Sequence, residues 1–311
     1  MHKRITFSGD AQSVRALAQQ LVPIEGVIGL WHQREGALKP PGDVLQVDVL
    51  NRDADQVLRK AAACLDDKSV QLSVVIGQST AIVDRDRAHL IETDADEALW
   101  EEMESDLRNH GRISANYLVL MALGGIVAAA GLLLDPVSQG MAFVGASIIA
   151  PAFEPVAKVA QALVLGRARI CGRALLSVMV GYALMIGAAA LTFLALSTLQ
   201  PRQPHVVFVM QPVIDSLTHL KTAPIVTSGC AAIAGIIMVV SLRDLYVVGP
   251  LIVLVTVPGL ALAGAALGVG EGLVALGALR RVGSDLALII ILGAGVFAWK
   301  QRLFHRRRPL T

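Results

Sequence analysis

Charge is scarce in this chain. Only 17% of its 311 residues are Asp, Glu, Lys or Arg, against roughly 25% in ordinary soluble domains, which argues against a wholly water-soluble body. Cysteine is scarcer still. Cys64, Cys171 and Cys230 lie far apart in no CxxC or Cys/His spacing, and one is left over after any pairing. Neither a disulfide framework nor a zinc site is implied, and no other metal or cofactor signature is present. Residues 1–10 lack the apolar run of a signal peptide, so the start of the chain is expected in the cytoplasm. HExxH, paired-Asp and Ser/His signatures are absent as well, which points away from an enzyme.

What is present is hydrophobicity, at 54% of residues, unevenly spread. Residues 1–113 hold 13 Lys/Arg and 19 Asp/Glu, while residues 114–311 hold 14 and 6. Charge density thus drops sharply at the boundary. Two bodies in two solvents explain the split, and the chain reads as a membrane protein with a small soluble domain in front.

Residues 1–90 alternate strand and helix signals. Ile5–Phe7 is β-like, and Asp10 is placed to cap a helix through Leu21 that buries Val14, Leu17 and Leu21. Val27–Trp31 reads as a strand, followed by a turn-rich stretch with Gly36, Pro40, Pro41 and Gly42. Val44–Leu50 alternates, Asp53 or Asp55 opens a second helix to Leu65, and Gln71–Ile76 is a fourth strand. The order βαββαβ is that of a small α+β ferredoxin-like domain. Residues 91–115 form a connector, whose stretch 94–112 is acidic early and basic at Arg108, His110 and Arg112, the polarity a helix dipole favours.

Residues 116–300 form an α-helical multi-pass membrane domain of about six spans, since each needs about 20 mostly apolar residues. The segments are Asn116–Leu134, Met141–Leu165, Ala174–Leu196, Ala223–Leu242, Val247–Val269 and a shorter Asp285–Trp299. Gly272–Val282 either extends the sixth or lies at the interface. With the N-terminus inside, eleven Lys/Arg flank the inner side and four (Arg202, Lys221, Arg280, Arg281) the outer. Both termini are therefore expected in the cytoplasm, at the inner membrane. The basic tail, residues 301–311, suits anionic lipid rather than nucleic acid.

Two segments are punctured. Segment two carries Pro151 and Pro155, and segment five carries Pro250, Pro258 and Gly259, so both should break near mid-membrane. Setting Gly145 against Gly249 brings Gly166 onto Gly270, which suggests two inverted repeats of three spans, each with a broken second helix. Such pairs point to a solute site between segments two and five. Glu154 and Lys158 stand four apart with the acid first, Gln161 continues their stripe, and Ser147 lies two turns before. A charge in hydrocarbon costs at least about 2.5–3.5 kcal/mol, so these groups should face protein or water. A self-neutralising structural pair and a substrate or proton role are both open. Thr256 is the natural opposite wall. Asp215 and His219 lack a third metal ligand beyond His205, and Asp285 beside Ser284 reads as a helix cap or as a partner of Arg281.

Three runs together resemble a known family: Trp100–Glu104, Gly145–Pro155 and Val257–Gly259. They resemble the bacterial and archaeal membrane family called domain of unknown function 389, over the chain from residue 95 onward. Members often carry Met where Ser147 stands and frequently Gly where Glu154 stands. The resemblance implies a multi-pass membrane protein, often with a cytoplasmic α/β domain, and supplies no substrate. Two functions follow as expectations. One is a secondary transporter or permease of a small solute using Glu154, Lys158, Ser147, Gln161 and Thr256. The other is a non-transporting sensor or scaffold whose cytoplasmic domain binds a ligand or partner. The bilayer is the expected partner, with homo-oligomerisation through the soluble domain as a further possibility and no role for nucleic acid.

Overall fold

The computed structural model describes residues 2–65, 72–79, 82–94, 97–199, 212–241 and 256–303. They fall into two compact units, Met1–Met103 and Glu104–Lys300.

The first unit builds a four-stranded antiparallel sheet from β1 (His2–Gly9), β2 (Val27–Leu38), β3 (Pro41–Val49) and β4 (Leu72–Ser79), in the order β2-β3-β1-β4. Alternation in β1 and β3 turns Ile5, Phe7, Leu45, Val47 and Val49 to one face. There α1 (Ala11–Leu21) lays down Val14, Leu17 and Leu21, and α2 (Asn51–Leu65) lays down Ala54, Val57, Leu58 and Ala61. Each large side chain so buried contributes about 1.5–3 kcal/mol. Asp10 caps α1, accepting from Ser13 N at 3.0 Å, and that hydrogen bond holds its carboxyl below the usual range.

Two elements differ from the sequence reading. Strand β2 continues to Leu38 through the stretch read as turns, because an edge strand paired on one side needs no apolar alternation to form. Helix α2 starts at Asn51 rather than at Asp53 or Asp55. Its first-turn donors, Asn51 N and Arg52 N, are met by the distant Asp94 carboxylate at 2.8 and 3.2 Å. Asp94 therefore belongs to the first unit's core edge and not to the connector helix. After the short α3 (Ala88–Glu92), that helix, α4, spans Trp100–His110.

In the second unit, α8 (Ala168–Leu199), α10 (Thr222–Val240) and α12 (Gly272–Leu303) are long and apolar enough to cross a membrane. Helices α6 (Pro136–Ile149) and α7 (Glu154–Val164) pass the same test together as one pair bent by 51°. Shorter apolar helices are α5 (Ala115–Gly131) and α11 (Thr256–Gly268), with α9 (Pro212–Thr218) between α8 and α10. The third and sixth segments are both longer than read. Gly272–Val282 extends the sixth, so Asp285 is an interior residue of α12 and not its cap. Pro250, His205, Arg202, the first half of segment five and the Arg306–Arg308 tail lie outside the described residues.

Helices α7 and α11 end alike. Gly166 has φ +67° and Gly270 φ +85°, the left-handed conformation that glycine takes without penalty. The following amide bonds back to the last turn at 2.9 Å in each case, Arg167 N to Ala162 O and Glu271 N to Ala266 O. Each turn then opens a helix of 32 residues, α8 and α12.

Candidate functional site

The break in the α6–α7 pair follows from its residues. Pro151 has no amide hydrogen and pushes Ala150 out of the helical region, and Ala150 is extended at φ −84°, ψ 118°. Helix α7 then restarts at Glu154 with Pro155 in its first turn, where a missing N–H costs nothing. The interruption frees backbone carbonyls inside an apolar unit. Tyr182 of α8 takes one of them, its hydroxyl donating to Ala152 O at 3.1 Å. One helix over, Tyr117 of α5 donates to Ser177 O at 2.8 Å. Glu154, half-buried, lies within electrostatic reach of both tyrosine hydroxyls.

Asp285 of α12 also lies within electrostatic reach of Tyr182. Asp285 is 2% exposed and forms an ion pair with Arg281 Nη1 at 2.8 Å, Arg281 itself having no exposed surface. The second guanidinium nitrogen donates to Ser228 Oγ of α10 at 3.0 Å. Helix α11 enters beside this pair: a Cβ on Gly259 would stand 2.7 Å from Val282, the residue after Arg281. Thr256, three residues before Gly259, is fully buried, and its hydroxyl has no hydrogen-bond partner among the described residues. Two carboxylates, one guanidinium, two phenols and hydroxyls of Ser228 and Thr256 thus lie in a mostly apolar interior. Groups that cost this much to desolvate persist there only when paired or used.

The residues singled out by sequence divide between places. Ser147 is buried in the last turns of α6, and Pro258 and Gly259 sit in the first turn of the described α11, which packs on α5, α6 and α8. Gln161 is 2% exposed, and its amide nitrogen has no partner among the described residues. Among the described residues no ion pair joins Glu154 to Lys158. The lysine instead feels Arg108, Glu104 and Arg173. Tyr117 and Tyr182 carry no sequence signal beyond being the rare tyrosines of an apolar stretch. Arg281 and Asp285 did carry one, an Arg/Asp spacing of four inside a Gly/Ala/Leu-rich run. Their pairing was one of the two readings of Asp285, the helix cap being the other, and the ion pair is the one that forms. Asp215 pairs with Lys221 and His219, which hold its carboxyl below the usual range, and no group of three or more metal-ligating side chains occurs among the described residues.

Comparison with known proteins bears on this same region. The family model described as Domain of unknown function (DUF389) matches residues 147–291. The chain resembles that family. The DUF389 match takes in the α6–α7 break, Glu154, Lys158, Thr256, Arg281 and Asp285, and leaves out the connector residues Trp100–Glu104. No curated protein and no solved structure matches the chain. The apolar helices and the DUF389 match are together compatible with a membrane protein.

Proposed function

We propose that the chain is a multi-pass protein of the inner membrane whose second unit is a secondary transporter or permease of a small solute. In this reading the membrane domain has six spans in two inverted repeats. The first unit is a ferredoxin-like cytoplasmic domain, and both termini face the cytoplasm. The solute site lies between the α6–α7 break and the start of α11. The observation that carries the reading is the 51° break in a membrane-length helix pair, set beside a buried polar nucleus. A polar interior at a helix break is what a solute path through hydrocarbon requires, because backbone without helical bonding is tolerated only where protein or water meets it. The matching turns at Gly166 and Gly270, each leading into a helix of equal length, support a repeat. The buried hydroxyl of Thr256, which meets no partner among the described residues, supports a wall that a solute would complete.

The test is uptake by proteoliposomes holding the purified full chain, screened over anions, cations, sugars and amino acids. Uptake of one class is expected, falling tenfold or more in Glu154→Gln and in Thr256→Val while both variants keep the wild-type melting temperature. Thr256→Val keeps the volume of the side chain and removes a hydroxyl with no partner among the described residues, so its cost to stability should be small. No uptake of any class, with both variants indistinguishable from wild type in cells, would end the transport reading. Loss of phenotype on deleting residues 1–90 would then favour the sensor or scaffold.

A further inference from the structure

The ion pair at the centre of the polar nucleus is built unevenly. Arg281 Nη1 lies 2.8 Å from Asp285 Oδ1 and 3.2 Å from Ser284 Oγ, so the carboxylate sits on the Nη1 side of the guanidinium. No carboxylate pairs with the other edge, Nε and Nη2, among the described residues. There Nη2 donates to the neutral Ser228 hydroxyl at 3.0 Å, and Nε has no hydrogen-bond partner among those residues. Asp285 is little better served: neither of its oxygens receives a donor at hydrogen-bonding geometry among the described residues, although Oδ1 touches the guanidinium. Both side chains are buried, with 0% and 3% of their surface exposed. A buried N–H left unmet costs the full desolvation of that group. An edge of two parallel N–H donors is also the shape that takes two oxygens of one anion. The start of α11 borders the pair through Gly259 and Val282, and the fully buried Thr256 hydroxyl, one turn before Gly259, has no partner among the described residues either.

Charge then decides what enters. As it stands, the pair is neutral. An anion on the Nε/Nη2 edge would set two negative charges on one buried cation, and in apolar surroundings a single proton on a carboxylate oxygen removes the excess. Asp285 is the carboxylate already in contact with that cation. Around it, α8 brings the Tyr182 phenol within electrostatic reach, and α10 brings Ser228. Of the other helices against α12, α7 carries Glu154 and Lys158, α9 carries the exposed Asp215, already paired with Lys221 and His219, and α11 carries no titratable side chain.

We infer that the solute, within the transport reading on which this inference rests, is a small monovalent organic oxyanion seated on the Nε/Nη2 edge of Arg281 and carried together with one proton on Asp285. The proton forms one O–H bond on the carboxylate, arrives from the water on the solute's side and leaves with the solute on the other. The filled site is then as neutral as the empty one. A dianion would leave it charged and is selected against.

The test uses proteoliposomes holding the full chain and a pH-sensitive dye, with radiolabelled lactate and methanesulfonate as probes. Uptake above that of protein-free vesicles should rise at least fivefold when the outside is acidified, with one proton entering per anion and no response to an imposed membrane potential. Succinate should enter at least tenfold more slowly. Asp285→Asn keeps the shape but takes up no proton, so its uptake should lose the response to the pH gradient. Arg280→Gln, an exposed cation beside the pair, should keep that response. If Asp285→Asn fails to fold, wild type decides alone. Its melting temperature in methanesulfonate, against sulfate at equal ionic strength, should rise more at pH 5 than at pH 8, because anion and proton bind together. Uptake of the anions without protons, or of sugars, cations or dianions only, overturns this inference and leaves the transport reading standing. Uptake of no solute class at all overturns both.

Discussion

A guanidinium with no exposed surface has to find its whole environment in the protein. Arg281 finds Asp285 at 2.8 Å and Ser228 at 3.0 Å, on its own helix and on α10. Removing one member leaves the other charged, buried and unpaired, at a cost of about 3–5 kcal/mol, whereas removing both together costs far less. Thermal unfolding in detergent should therefore show Arg281→Met and Asp285→Leu each strongly destabilised, and the double variant recovering most of the loss. Asp43, in the first unit, is the polar counterpart. Its carboxylate is buried near the start of the central strand β3, where Glu35 N donates at 2.9 Å, His32 lies at 2.8 Å and Arg15 at 3.4 Å. The Glu35 amide chiefly, and then the His32 side chain and the Arg15 charge, hold its carboxyl below the usual range. A carboxyl lowered in the folded state stabilises fully above its unfolded value, about 3.9, and that stability is lost as pH falls through the folded value. Asp43→Asn should accordingly lose stability at pH 7 and show a shallower acid limb than wild type below pH 4 in a circular-dichroism titration. The Arg281–Asp285 pair was readable from its spacing of four on one helix, whereas Ser228 and the partners of Asp43 come from other elements. The Arg281/Asp285 spacing was the single local clue.

Helix ends were the most legible elements. Asp10 before α1 and the glycines after α7 and α11 announce themselves because capping depends on a few adjacent residues. Helix α2 was misplaced for the opposite reason, its cap arriving from Asp94. The sixth segment was cut short because charged residues usually mark a membrane boundary, a rule that fails where they pair inside. Replacing Gly166 or Gly270 by Ala should cost about 1–2 kcal/mol each, since both occupy the left-handed region although nothing crowds them. Gly145→Ala and Gly187→Ala, in ordinary helix with open surroundings, should instead gain about 0.5–1 kcal/mol, as read by melting temperature.

At the scale of the whole chain, composition changes from charge-rich to apolar near residue 113, and the compact units divide at Met103, within one helical element of that point. In the proposed reading, two solvents impose those two compositions. The polar nucleus was only half legible: Glu154 and Thr256 stood out as polar residues at helix breaks and the Arg281/Asp285 pair by its spacing, while the tyrosines and Ser228 depend on packing. Sidedness has its own test. With the native cysteines replaced by Ser, Leu38→Cys, 93% exposed on β2, should react with a membrane-impermeant maleimide only after the cells are permeabilised. Labelling of intact cells would put the first unit on the other side. Helices α8 and α12 each run for 32 residues, about 48 Å of rod at 1.5 Å per residue, against a hydrocarbon layer about 30 Å thick. Standing upright, each overshoots the oil by several turns, so a tilt of either inside the bilayer swings a lever arm through the water beyond it.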